Sequence, residues 1–320
     1  MAVSAEAARI LVLLAMYRSA PGWLAEQLDS IAAQQQADWA LILSDDGPTP
    51  DSAAVAAAFA VRHPGRVLDR RAGPGRGFAA NFLSLLAAVP GGTARVALAD
   101  HDDVWFPDKL ARADAALAAV DPAVPALYAA GTLVCAADLT PIAAVPPFPR
   151  PATFGNALVQ SIGGGNTMML NRAAIDLVRA AVPEAMAGEG IVAHDWWLYQ
   201  VVTGAGGVVV RDPGPVLAYR QHGGNAVGAN RSPRARAARL VGFVTGRFRR
   251  WNAVNVAALG RSAHRLTPAA RAQLAAFAAA RTLPLWRPQA RLAALRAAGV
   301  YRQSGLDDLA LHIACLTGRL

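Results

Sequence analysis

The residues best placed to do chemistry stand in one short run, Arg95 to Lys109, where an apolar stretch, Val96-Ala97-Leu98-Ala99, leads into Asp100, His101, Asp102 and Asp103. Side chains alternate along a strand, so Asp100 and Asp102 share a face and His101 points away from both. Three carboxylates in four positions repel one another. A bound cation relieves that repulsion, and hard oxygen ligands suit Mg2+ or Mn2+. On spacing alone a strand-end turn with solvated acids, or a helix cap, accounts for the cluster equally well.

Other candidates lie far off in sequence. Asp45-Asp46-Gly47 follows an apolar run, and Gly73-Pro74-Gly75-Arg76-Gly77 is a glycine-rich loop. Gly163-Gly164-Gly165-Asn166, His194-Asp195-Trp196-Trp197 and Tyr219-Arg220-Gln221-His222 complete the set. Each has an ordinary structural use: Asp-Gly favours turns and Asp195 would cap a helix. The glycine-rich loop is a poor dinucleotide motif, because Pro74 interrupts it and no ribose-binding acid follows at the right distance.

Strands are expected at Ile10–Met16, Trp39–Leu43, Val67–Leu68, Val96–Ala99, Ala126–Val134, Thr167–Leu170 and Gly207–Val210, with an extended stretch from Pro215 to His222. Helices are expected over Pro21–Ala33, Ala53–Arg62, Phe78–Ala88 and Asp108–Val120, and from Arg172 and His194 onward. Pro141–Pro151 reads as a loop, and Gly223-Gly224-Asn225 as a turn. Alternating strands and helices imply an α/β fold with a mostly parallel sheet flanked by helices. Ligands of such sheets bind beyond the strands' carboxyl ends, where Asp45, Asp46, Asp100 and Asp102 would converge.

The two cysteines, Cys135 and Cys315, set no disulfide framework, which suits a reducing compartment. The longest apolar run near the start, Ile10–Met16, is too short for a membrane span and lacks a basic leader. Charge is lopsided: residues 1–228 carry 15 Lys and Arg against 20 Asp and Glu, residues 229–320 carry 16 Arg against 2 Asp. The reading is therefore two parts, 1–228 and a basic helical appendage, 229–320, opening at Ser232-Pro233. In the appendage Leu240, Val244, Phe248 and Trp251 form an apolar stripe beside Arg236, Arg247 and Arg250. Such a helix could seat on anionic lipid, or pack on the first part or a second subunit. No nucleic-acid module accompanies the charge, so nucleic acid is not expected as a partner.

In their order these blocks resemble an inverting family 2 glycosyltransferase of GT-A fold, a Rossmann-like nucleotide-diphospho-sugar transferase, and above all the rhamnosyltransferase-like bacterial enzymes of surface polysaccharide synthesis. The resemblance spans about Arg9 to Gly228. It rests on Tyr17 with Leu24–Ile31, Leu43–Gly47, Asp100–Trp105, Gly164–Met169, and His194–Trp197 with Tyr219–His222. It implies a nucleotide-sugar donor and a glycan or lipid-linked acceptor. It makes Asp102 the metal ligand, Asp100 a contact of ribose or metal, and His222 a further contact of metal or diphosphate with Arg220 nearby. Asp195 becomes the general base. Tyr17, Asp45 and Asp46 line the nucleotide pocket, Arg76 lies near phosphate with Asn81 anchoring its loop, and Gly164, Gly165 and Asn166 meet the sugar. His101 stands where relatives carry glutamine and is a spectator. Arg18-Ser19 and Pro48 depart from the pattern in the nucleotide half. The implied place is the cytoplasm, at the inner face of the cell membrane. A nucleotidyltransferase or a non-catalytic nucleotide-sugar-binding scaffold are the alternatives.

Overall fold

The computed structural model describes residues 10–144, 148–223 and 246–320. The first unit alternates β1 (Ile10–Met16), α1 (Pro21–Ala32), β2 (Trp39–Asp45), α2 (Pro50–Arg62), β3 (Val67–Ala72), α3 (Phe78–Ala87) and β4 (Arg95–Asp100). β5 (Val104–Trp105), α4 (Lys109–Ala118), β6 (Ala126–Cys135), β7 (Pro141–Ala144) and a single turn, α5 (Phe154–Ala157), follow. Then come β8 (Met169–Asn171), α6 (Arg172–Met186), α7 (His194–Gly204) and β9 (Val208–Arg220).

These strands form one sheet in the order β3-β2-β1-β4-β8-β6-β9-β5, with β7 beside β6. β1 to β4 are mutually parallel where they pair, whereas β8 runs antiparallel to both β4 and β6. Every residue of β1 is buried, and alternation sorts them to opposite faces. Leu11, Leu13 and Ala15 join one core, with α3, α6 and α7; Ile10, Val12, Leu14 and Met16 join the other, with α1, α2 and α4. A strand covered on both faces needs a continuous apolar run rather than alternation, which is the pattern of Ile10–Met16. β3 lies at the edge, alternates in exposure and carries Asp69, Arg70 and Arg71, charges that discourage edge-to-edge pairing.

Three expected features differ. Pro141–Ala144 is a strand, because its backbone completes the β6 edge. The two extended stretches near 207–222 are one strand, β9, which pairs parallel with β6 and then antiparallel with β5. Its irregular register falls at Gly131, where a Cβ would stand 3.0 Å from the Pro213 carbonyl. Gly165–Thr167 is a 3-10 turn that delays the next strand to Met169. The turn at Gly223-Gly224-Asn225 lies mostly outside the described residues.

Residues 246–320 are helical as expected: α8 (Arg247–Arg261), α9 (Pro268–Thr282), α10 (Pro288–Ala297) and α11 (Gly305–Leu316). The hydrophobic core runs unbroken from sheet to helices: Leu259, Leu266, Phe277 and Leu311 share a cluster with Leu13, Phe82 and Trp197. Thr267 caps α9 through its side chain, and its N–H donates to the Gly204 carbonyl at the end of α7. Gly204 is pressed by Leu266 and Phe154, whose atoms would lie 2.6 and 2.9 Å from a Cβ there. Within the expected apolar stripe, Phe248 is buried and Trp251 packs edge-on against Trp196, ring centroids 6.5 Å apart. Leu240, Val244, Arg236, the Ser232-Pro233 helix start and the 228/229 boundary lie outside the described residues. Among the described residues no helix is long and apolar enough to cross a membrane.

Candidate active site

The carboxyl ends of β1, β2 and β4 open on one crevice. α1 fixes the acid-bearing segment through a buried polar stripe. Gln27 donates to the Asp100 carbonyl at 2.9 Å, Ser30 Oγ accepts the Trp105 N–H at 3.0 Å, and Gln34 Oε1 accepts the Leu110 N–H at 3.0 Å. Gln27 and Ser30 lie on the helix face that also buries Leu24, Leu28 and Ile31, and Gln34 stands just past the end of α1. Polar residues at core positions of an amphipathic helix were the signal that could have found them.

Asp102 and His222 come together from opposite ends of the first unit, because β9 lies beside β5. His222 Nε2 is 2.7 Å from Asp102 Oδ2, and Trp23 of α1 packs its ring 4.6 Å from the imidazole. Arg220, at 2 % exposure, donates to the Asp102 carbonyl at 3.0 Å, to the Ala137 carbonyl and to Glu26. Its guanidinium is thus a brace inside the protein, not a solvent-facing phosphate hook. Among the described residues no three His, Cys, Asp or Glu side chains are placed to hold a metal ion. The protein offers the pair Asp102 and His222, with Asp100 at the β4 end behind it.

Asp103 is fully buried and accepts from Asn166 Nδ2 at 2.6 Å. Burial, then the Asp102 charge, lift its carboxyl to about 7. Asp100 is raised well above the usual range by burial and by Asp103, Asp102 and Asp195, in that order. The opposing cation is Lys109, 2 % exposed, its ammonium 3.3 Å from the centroid of Trp105. Burial pulls the Lys109 pKa well down while Asp103 and Asp100 pull it up. Sequence reasoning passed over Lys109: as the first residue of a helix it looks like a surface lysine, and only packing buries it. His101 is mostly buried too; burial lowers its pKa, against the opposing pull of Asp102 and the Ala15 carbonyl.

Asp195 opens α7 and is half-buried. Its Oδ1 accepts the next N–H, that of Trp196, at 2.7 Å. Burial lifts its carboxyl to about 6, and its charge reaches Asp100. A chain of contacts ties it to the acid cluster: Asp103 to Asn166, and Gly165 against His194, whose Nε2 would lie 2.0 Å from a Cβ at Gly165. His194 stacks on Phe82 with centroids 3.8 Å apart, and burial pushes it down to about 3, so it is neutral. The glycine–asparagine turn therefore differs from its expected use. Asn166 is 2 % exposed and turned to Asp103, and Gly165 makes room for His194; Gly164 is the exposed member.

The β2 end of the crevice also binds itself. Asp46 accepts from Gly75 N at 2.5 Å and Gly77 N at 2.8 Å, so its carboxylate shapes the glycine-rich loop. Gly75 and Gly77 have φ of 66° and 87°, values that favour glycine. Asp45 accepts from Gly47 N at 3.0 Å and Ser52 Oγ at 3.4 Å. Each carboxylate retains acceptor sites beyond these. Asn81 is buried and donates to the Ser44 carbonyl at 3.1 Å, joining the β2 end to α3. Tyr17 is 54 % exposed at the rim, its ring close enough to Gly47 that a Cβ there would lie at 2.8 Å. Arg76 is exposed on the loop.

Residues 11–132 match the Glycosyl transferase family 2 profile. The chain carries a family 2 glycosyltransferase domain. It is a nucleotide-sugar glycosyltransferase, similar along most of its length to the dTDP-rhamnosyl transferase RfbG of Shigella flexneri, at 26% identity over 249 residues covering 73% of this chain and 80% of that protein. An uncharacterized protein, y4gI of Sinorhizobium fredii, is 37% identical over 103 residues, 32% of this chain and 11% of its own. Among solved structures, S. aureus TarS 1-349 in complex with UDP-GlcNAc superposes at a TM-score of 0.53 with 14% identity, covering 90% of this chain and 79% of that one. That likeness establishes the GT-A fold. The mannosyltransferase PcManGT of Pyrobaculum calidifontis, in complex with GDP-Man and Mn2+, matches at 22% identity and a TM-score of 0.47, over 91% of this chain and 86% of that one.

Proposed function

We propose that this glycosyltransferase inverts the anomeric carbon of its donor, with Asp195 as general base and Asp102 and His222 at the diphosphate. The carrying observation is the convergence of Asp100 and Asp102, Asp195, and His222, from three distant segments, on one crevice at the strands' carboxyl ends. An inverting displacement needs one base on the acceptor side and charge neutralisation on the leaving side. Asp195, held near 6 by burial, is ionised at neutral pH yet basic enough to take a hydroxyl proton as the oxygen attacks.

The donor set on the leaving side fits a divalent cation, Mg2+ or Mn2+. Asp102 Oδ2 and His222 Nε2, hydrogen-bonded to each other at 2.7 Å, are the groups that would turn to the ion, and the diphosphate would add hard oxygens. What such an ion supplies is neutralisation of charge on the departing nucleoside diphosphate. Arg220 holds the Asp102 backbone, and Lys109 stands against the charge of Asp103 and Asp100. Tyr17 and the Asp45, Asp46 and Arg76 region form the nucleotide end, and the exposed Gly164 lets backbone approach the sugar.

The Shigella relative makes dTDP-rhamnose the first donor to try, and a hydroxyl of a glycan or lipid-linked saccharide the first acceptor. The test is incubation with a panel of nucleotide-sugars, with and without chelator, reading released nucleoside diphosphate. Release that the chelator and Asp102→Asn both abolish supports the metal-assisted reading. Turnover indifferent to chelator removes the ion, and pyrophosphate as product would mean nucleotidyl transfer instead.

A further inference from the structure

The apolar stripe visible in the sequence at Phe248 and Trp251 is consumed by packing, yet a different apolar face is left open. α11 turns Leu311, Ala314 and Cys315 into the core. Its other side presents Leu306, Leu309, Ile313 and Leu316, at 81, 57, 53 and 39 % exposure. At 100° per residue these four fall within an arc of about 80°. The loop between α9 and α10 extends the same surface with Leu285 at 56 % and Trp286 at 81 %. Leu285 leans on the end of α11: its Cδ2 would be 2.9 Å from a Cβ on Gly318. Arg291, 1 % exposed, fastens loop to helix by donating to the Cys315 carbonyl at 2.7 Å and to the Leu283 carbonyl. Six large apolar side chains on a braced scaffold are more than a soluble surface ordinarily leaves in one place.

We propose that this face docks on an anionic lipid surface. The choice of occupant rests on charge. Residues 246–320 contain twelve Arg and two Asp, with no Lys or Glu, and seven of those Arg, Arg287 and Arg296 among them, are exposed. Both acids are engaged: Asp308 pairs with Arg150 and accepts the Arg302 N–H, and Asp307 accepts from Ser304 at the α11 cap. A second copy would bring the same positive layer against this one. Anionic headgroups instead complement it, with Arg287, exposed directly after Trp286, and Arg296 on α10 reaching phosphates while the leucines and Trp286 enter the acyl boundary. The binding is peripheral, since no described helix is long and apolar enough to span. The inference is independent of the catalytic assignments above.

The experiment uses the full chain and vesicles of phosphatidylcholine alone or with phosphatidylglycerol, reading the bound fraction by co-flotation. Binding should require phosphatidylglycerol and weaken with salt. A variant carrying Trp286→Ser, Leu309→Ser and Ile313→Ser, all surface changes, should lose at least about tenfold in partition while keeping its circular dichroism and its nucleoside diphosphate release. Arg287→Gln with Arg296→Gln, which leaves the apolar face intact, should weaken binding to the phosphatidylglycerol vesicles and reduce its salt dependence. Equal flotation of the wild type and the serine variant overturns the proposal, as does absence of wild-type binding. So does a dimer in light scattering that the serine substitutions convert to monomer, which would give the face to a second copy.

Discussion

Two clusters among the described residues set carboxylates beside cations and resolve the charge in opposite ways. At Glu184, burial would raise the pKa, but hydrogen bonds from Arg265 (2.8 Å) and Ser262 (2.6 Å) outweigh it and hold the carboxyl below its usual value. That cluster joins α6 to the C-terminal helices, and Arg261 adds a bond to the Glu184 carbonyl at 2.8 Å. In the crevice, Asp100 and Asp103 face one buried lysine, and burial with repulsion among the acids, Asp102 included, pushes both up. Glu184 is a completed ionic joint. The crevice is left incomplete, in a state that a cation and a diphosphate would relax. Unresolved burial of like charges at the open end of a sheet distinguishes a working site from a structural one.

The sharpest way to break this contrast is to remove the working groups. Asp102→Asn and Asp195→Asn should each lower sugar transfer by about a thousandfold with the melting temperature preserved; near-wild-type steady-state rates in either would reassign that residue. Next in size is pH. Asp195 must be ionised to accept a proton, so transfer should fall about tenfold per pH unit below 6 and level off above it. A rate profile that stays flat down to pH 5 would remove Asp195 as base.

Glu184→Gln should do the reverse of the catalytic variants, costing about 2 kcal/mol of stability with kcat unchanged, as urea unfolding and steady-state kinetics would show. Because the folded Glu184 pKa is lowered, its stabilisation is present above the unfolded value and lost as pH falls. The crevice acids have the opposite sign. Asp103 is raised to about 7 when folded, so the ligand-free protein loses stability as pH rises from about 4 toward 7, by at most about 1.4 kcal/mol per unit. The smallest effect is accordingly that of Asp103→Asn at pH 8: stability unchanged or higher by about 1 kcal/mol, and a shallower loss between pH 4 and 7. If instead Asp103→Asn unfolds the protein while Glu184→Gln is silent, the two clusters have been assigned the wrong way round.

Much of the architecture was legible. Ile10–Met16, Trp39–Leu43 and Val96–Ala99 are apolar on both faces because both faces are covered, and the acids after the last two had to lie at the strands' carboxyl ends. The helices after Arg172 and His194 followed from their spacing. Less legible were contacts with no local signature. Lys109 reads as a surface residue until packing buries it, and Asn166 as a sugar contact until Asp103 is found 2.6 Å away. The stripe at Phe248 and Trp251 looked like a face for lipid, but periodicity says only that a helix has an apolar side, not what covers it.

By itself the sequence determined the kinds of group available and their local order: acids at strand ends, an acid at a helix start, a basic helical C-terminal part. Those follow from periodicity and turn chemistry, which act over a few residues. Only the tertiary structure decided which acids are crowded, which are braced, and which apolar side chains remain outside. Burial and Coulomb interactions depend on distance in space, and β9 beside β5 brings His222 to Asp102 across 120 residues of chain.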